Sequence, residues 1–525
     1  MLCAVGFILH LASLVAIAGA LSPTPDRYGS SESRLRYANH IFNAIHSSMR
    51  QWGSSLNHNG MSFFWATVPE GTELYHGTHR PEPVTGTEWL AFEPEHAMLF
   101  AGPRPKGFKP PHFPGKPGDR PVERDQHFSN HQSILTDSEP DSQVGHDEGH
   151  PPMDLEPGWV HTYSTTKDLR LIYIDGMSAA KSNKGVYDSQ DRILLNDTVG
   201  GHGFLEYVRA QAICKLAQED WHDRIDGVIR MEAGFEIILC NFHRDLEVVR
   251  ITRAKRWSAK DFTPGFGLPH EPADMFRLYK AIADRYHGIG GNRVRLDYEN
   301  FVTAFSYDLD LFRSGDLPRL ANLSTTSLEP IRKDLLDLIM KHDPSEKSFD
   351  WQGVVDMIVQ RYSNELKYLL SEDLSTTPLL HKELGRILSA FVDYDHRNMT
   401  AEIERCSNQF IPKKAPRNTL AGEVVYHVSH KICSTLFYAL EENDHEAAVQ
   451  SINDLVSYLS WTTWKECNAC APNEVCFIPI WPVGTYEDRE HPRCRGEMPP
   501  PPREEERYWE RPPRPRKPRK HRESF

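Results

Sequence analysis

The chain lacks a surplus of positive charge. Its 60 Lys and Arg face 73 Asp and Glu, a net charge of −13, which argues against a specific nucleic-acid partner, because neutralising phosphates needs a basic face. Beyond residues 1–20 no apolar run is long enough to span a bilayer, so no stable membrane anchor is expected. Paired ligands of the His-Glu-x-x-His kind are missing, which sets aside a zinc-dependent hydrolase, and there is no Gly-x-Ser-x-Gly nucleophile elbow. Two glycine clusters, Gly200-Gly201-His202-Gly203 and Gly288-Ile289-Gly290-Gly291, lack the strand–turn–helix setting of a phosphate loop and read as turns. Cysteine is scarce: one of the nine lies at position 3, leaving an even eight.

What is present points to export. Residues 1–20 are apolar and end Ala18-Gly19-Ala20, a small-residue cleavage pattern, so they read as a secretory signal peptide despite an n-region without Lys or Arg. The mature protein is therefore expected to be secreted and extracellular. Eight remaining cysteines suit disulfides in that compartment, with the pairing open. Asn196-Asp197-Thr198, Asn322-Leu323-Ser324 and Asn398-Met399-Thr400 are N-glycosylation sequons. Cys467-x-x-Cys470 has no matching second pair, so a disulfide-stapled segment is preferred there to a zinc site.

Periodicity divides the chain. Residues 34–255 alternate strand-like runs with helical spacing, for example Leu169–Gly176, Gly227–Met231 and Leu246–Ile251, and predict a β-rich α+β domain. Within it, residues 102–157 are rich in Pro, Gly, His and acid, and read as a disordered insertion whose scattered histidines make no metal motif. Residues 264–460 carry apolar stripes at helical spacing, the mark of an all-α bundle. Residues 461–498 form a Cys-rich cap, and residues 499–525 a disordered Pro- and Arg-rich tail.

The candidate chemistry lies in three pieces of the first domain. Leu74-Tyr75-His76-Gly77-Thr78 reads as a strand end with an imidazole beside a bare glycine backbone; Glu88-Trp89-Leu90-Ala91-Phe92 supplies an aromatic wall; and Glu236 opens the strand Glu236–Cys240. A fixed carboxylate in such a cleft suits an N-glycosidic bond, whose cleavage builds positive charge on a ribose. In order and setting these pieces resemble the histidine, aromatic and glutamate strands of the ADP-ribosyltransferases of the diphtheria-toxin and poly(ADP-ribose) polymerase type. The resemblance covers residues 60–255, with Trp89 standing where that family carries tyrosine.

That resemblance implies NAD as substrate, with no metal. His76 and Glu236 would be catalytic: the imidazole holding the adenosine-side ribose, the carboxylate holding the nicotinamide ribose and stabilising the oxocarbenium-like transition state. Gly77, Thr78 and Trp89 would contact NAD, Gly77 through its backbone and Trp89 by stacking on nicotinamide. The expected activity is NAD glycohydrolysis or mono-ADP-ribosylation of a protein acceptor. The alternative is a secreted interaction protein on an inactive scaffold of the same kind.

Overall fold

The computed structural model describes residues 34–102, 104–105, 155–199, 205–254, 272–344 and 347–510. The signal-peptide expectation, nearly all of the 102–157 insertion, the Gly200–Gly203 cluster and the end of the tail lie outside the described residues.

The molecule is built on one nine-stranded sheet. Its strands are β1 (Asn59–Val68), β2 (Glu73–Thr78), β3 (Glu88–Ala91), β4 (Trp159–Thr165), β5 (Leu169–Gly176), β6 (Gly227–Met231), β7 (Phe235–Leu239), β8 (Leu246–Arg253) and β9 (Arg295–Thr303). They lie in the order β8-β4-β2-β3-β7-β6-β5-β1-β9. Only β5 and β6 pair in parallel; the other neighbours are antiparallel. Composition explains the placement. Met61, Phe63, Phe64 and Trp65 of β1 are all buried, as a strand covered on both faces requires. β8 is mostly exposed, and Glu247, Arg250 and Arg253 charge that edge against further pairing.

Helices lie before, between and after the strands in the chain. α1 (Ala38–Ser47) and α2 (Gln51–Leu56) precede β1; α3 (Pro94–Met98) follows β3; α4 (Glu206–Glu219) and α5 (Phe242–Asp245) flank β6 and β7. Later come α6 (Pro272–Ala283), α7 (Thr325–Lys341), α8 (Trp351–Leu369), α9 (Thr377–Leu388), α10 (Met399–Ser407), α11 (Leu420–Glu441) and α12 (His445–Leu459). The α11 stripe Val424, Val425, Val428, Ile432 and Leu436 is fully buried, the core role its spacing predicts.

Four disulfides use all eight cysteines beyond Cys3. Cys214–Cys240 ties α4 to the end of β7, Cys406–Cys433 ties α10 to α11, and Cys467–Cys476 and Cys470–Cys494 staple the C-terminal segment. Although the Cys467, Cys470 and Cys494 sulfurs lie within 4.8 Å of one another, each is already committed to a disulfide.

Two expectations are corrected. The region 264–460 is not purely helical: β9 completes the sheet beside β1, with a register shift between Phe64 and Ala66. The tail does not begin at 499, because Tyr508 and Trp509 are buried and the Tyr508 hydroxyl meets His58 Nε2 at 2.6 Å. Two large rings repay the ordering of a Pro- and Glu-rich stretch that composition alone would leave loose.

Candidate functional site

The site begins where the sheet parts. β2 and β3 share a single paired position, Tyr75 with Ala91, whereas β2 is paired along its whole length with β4 and β3 with β7. Past that point His76 takes over from the ladder: its Nδ1 donates to the Trp89 carbonyl at 2.7 Å. Burial holds the His76 pKa down at about 3, so the ring is neutral and carries its lone pair on Nε2. A cavity of about 20 Å³ opens beside this contact, lined by His76, Gly77, Glu88, Trp89, His96 and Glu236 among others. The volume suits one water molecule.

Each expected residue can now be placed. Gly77 is bare because α3 uses the space: a Cβ there would stand 1.8 Å from the Ala97 carbonyl oxygen. Thr78 is buried, and its hydroxyl accepts the Arg80 amide at 3.3 Å. Trp89 is 9% exposed, and its indole N–H has no partner among the described residues. Glu236 is buried and lies in register with Ala91 on one side and Arg230 on the other. Strand alternation puts Tyr75, Ala91, Glu236 and Arg230 on one sheet face and the His76 ring on the other, where it meets His161 and Phe242 at centroid distances of 6.0 and 5.9 Å. His76 and Glu236 thus approach one cavity from opposite faces, through the gap between strands.

Behind Glu236 stands a buried charge network that sequence reasoning missed. Arg230 Nε donates to Glu236 Oε1 at 2.8 Å and Nη1 to Gln190 Oε1 at 2.9 Å, while its other terminal nitrogen pairs with Glu206. Glu206 also accepts the Tyr187 hydroxyl at 2.5 Å. Lys181 pairs with Glu232, and Arg209 with Asp191 at 2.8 Å. Four carboxyls, Glu206, Glu232, Glu236 and Asp191, therefore face three cations, Arg230, Lys181 and Arg209. Burial pushes Glu232 up to about 7 against the pull of Lys181; burial raises Glu236 as well, opposed by Arg230 and Lys181. Glu88, buried across the cavity, is pushed up to about 8 and stays protonated at neutral pH. His96 is buried, and neither of its ring nitrogens has a hydrogen-bond partner among the described residues. One signal for the network was available: Arg230 is a lone cation inside the otherwise apolar run Gly227–Met231.

The comparisons with known proteins place this region. A family described as the YPL277C N-terminal domain matches residues 32–266, a span holding every residue named in the site. The uncharacterized protein YOR389W of Saccharomyces cerevisiae is 32% identical over 545 residues, covering 86% of this chain and 83% of its own length. The chain belongs to this family. YPL277C of the same yeast, also uncharacterized, is 33% identical over 219 residues, 39% of this chain and 40% of that protein. An alignment spanning 86% of the chain necessarily runs past residue 266, so the family likeness includes part of the helical half. No solved structure matches.

Proposed function

We propose that this family member is a secreted NAD-consuming enzyme of the ADP-ribosyltransferase type, acting as an NAD glycohydrolase or a mono-ADP-ribosyltransferase. The observation that carries the reading is the convergence of His76, Trp89 and Glu236 on one cavity at the parting of β2 and β3. A carboxylate at that point would stabilise the positive charge that grows on the ribose as the nicotinamide bond breaks, and Arg230 favours its ionised form. Neutral His76, held in orientation by the Trp89 carbonyl, would stand beside the adenosine-side ribose. Water or a protein side chain would then take the ribosyl group. Four disulfides and the exposure of Asn196, Asn322 and Asn398 support an extracellular setting.

A second reading, an inactive scaffold serving protein interaction, is favoured by the size of the cavity. Twenty cubic ångströms holds no nicotinamide, and α3 would have to lift from Gly77 to admit one. Nicotinamide release from NAD by the full-length secreted protein separates the two, measured beside Glu236→Gln, which keeps the side-chain shape. Turnover that is equal in the two proteins removes Glu236 from the mechanism. No turnover in either supports the scaffold.

A further inference from the structure

A second, larger cavity lies away from the parted strands. It measures about 420 Å³, within the range of small-molecule sites, and opens between α1–α2, the end of β5 and residues 456–465. Its largely apolar wall carries uncharged hydrogen-bonding groups: Ser47, Asn57 and Ser457 would go unmatched against an apolar ligand, whereas Asn43, Ser54 and Ser460 already donate to backbone carbonyls. Trp461 and Trp464 stand together at one side, ring centroids 5.2 Å apart. At the sheet end sits Asp175, 7% exposed. The Gly176 amide (2.8 Å) and the Tyr173 hydroxyl (3.3 Å) both donate to its Oδ1, leaving Oδ2 to the cavity.

Charge narrows the ligand. The two cations on the wall, Lys465 and Arg489, both approach Glu490, at 3.0 and 3.4 Å, and the exposed Asp316 also lines the cavity, so that, Asp175 aside, two carboxylates offset two cations. His40, also on the wall, is kept neutral by burial, its pKa held near 4. Burial likewise pushes Asp175 up to about 7, which weakens it as an anchor for a cation while keeping it a hydrogen-bonding group. We propose that this cavity binds a neutral polyhydroxylated ligand of mono- or disaccharide size, with Asp175 as its central hydrogen-bonding partner and Trp464, backed by the buried Trp461, as its apolar wall. Planar polar groups matched to hydroxyls, beside an indole matched to the C–H face of a sugar ring, are the complement such a ligand needs. The proposal is independent of the NAD reading and stands or falls separately.

The test is a titration of the full-length, disulfide-intact protein with maltose, cellobiose and chitobiose, followed by tryptophan fluorescence and calorimetry. At least one sugar should give a saturable signal. Asp175→Asn preserves the acceptor for Gly176 and should weaken binding about tenfold or more. Ser457→Arg, at an exposed rim position, should abolish binding by filling the mouth, and serves if Asp175→Asn fails to fold. Failure of all three sugars to saturate, sugar affinity unchanged in the folded variants, or tighter binding of glucose 6-phosphate or choline than of any sugar would each overturn the proposal.

Discussion

Arg230 is the side chain on which the candidate site turns. Fully buried, it holds Glu236 in place, spans to Glu206 and Gln190, and has no route to water. Replacing it by Met leaves Glu236 without its ion-pair partner and Glu206 with only the more distant Arg209, both in a dry environment. Arg230→Met is therefore expected to cost on the order of 3–5 kcal/mol of stability, the range for breaking a buried ion pair, readable as a lowered denaturation midpoint. A loss under about 1 kcal/mol would mean that the network is looser or wetter than its geometry indicates. Lys181, Glu206 and Glu232 look like ordinary surface charges in a sequence. Only the register that sets Arg230 opposite Glu236, together with the loop carrying Lys181, gathers them. His76 and Trp89 were legible as an unusual strand-end pair, but the opposition of faces between His76 and Glu236 was not, because it depends on which strands are neighbours.

At the scale of elements, the contact of α3 with β2 decides whether the small cavity can open. The Ala97 carbonyl rests where a Gly77 side chain would be, and backbone cannot yield as a flexible side chain can. Gly77→Ala should push α3 off the strand at a cost of roughly 1–3 kcal/mol, seen as a lower thermal midpoint and as faster amide exchange confined to residues 94–101. Unchanged exchange there would show that the helix is not seated by this contact. The strands around it were the clearest elements in the sequence: Leu169–Gly176 and Gly227–Met231 are nearly continuous apolar runs, as buried strands require. β9 was not legible, since Asp297, Glu299 and Asn300 interrupt its apolar residues and its pairing with β1 shifts register midway. Tyr508 and Trp509 were hidden in the same way by the prolines and glutamates around them.

Across the whole molecule, burial has fixed the protonation of many groups, and this sets a pH dependence. His40 and His46 are held near 4, and His58 and His76 near 3, each chiefly by burial. These rings are neutral in the fold and protonated in the unfolded chain below about 6.5, so the stability they contribute is present above that pH and lost as pH falls toward their folded values. Asp175 and Glu232 are raised to about 7 and Glu88 to about 8. Their contribution runs the other way, present below about 4.5 and lost as pH rises through 7 to 8. Each group changes stability by about 1.4 kcal/mol per pH unit inside its window. Between about 4.5 and 6.5 the two sets largely cancel, below that range the histidines dominate, and above it the carboxyls do. Thermal midpoints should therefore vary little from pH 5 to 6.5, fall steeply below 4.5, and decline more gently toward pH 8. A midpoint still rising between pH 7 and 8 would contradict the buried, protonated state of the carboxyls.

The proposed function rests on one claim, that Glu236 acts on the glycosidic bond of NAD. Its most direct test is the rate of nicotinamide release from NAD at pH 7 by the wild-type protein and by Glu236→Gln, each first shown to be folded. The expected result is measurable release by the wild type that falls by about a hundredfold or more in the variant. Wild-type release matched by Glu236→Gln, or none from a folded wild type, would contradict it.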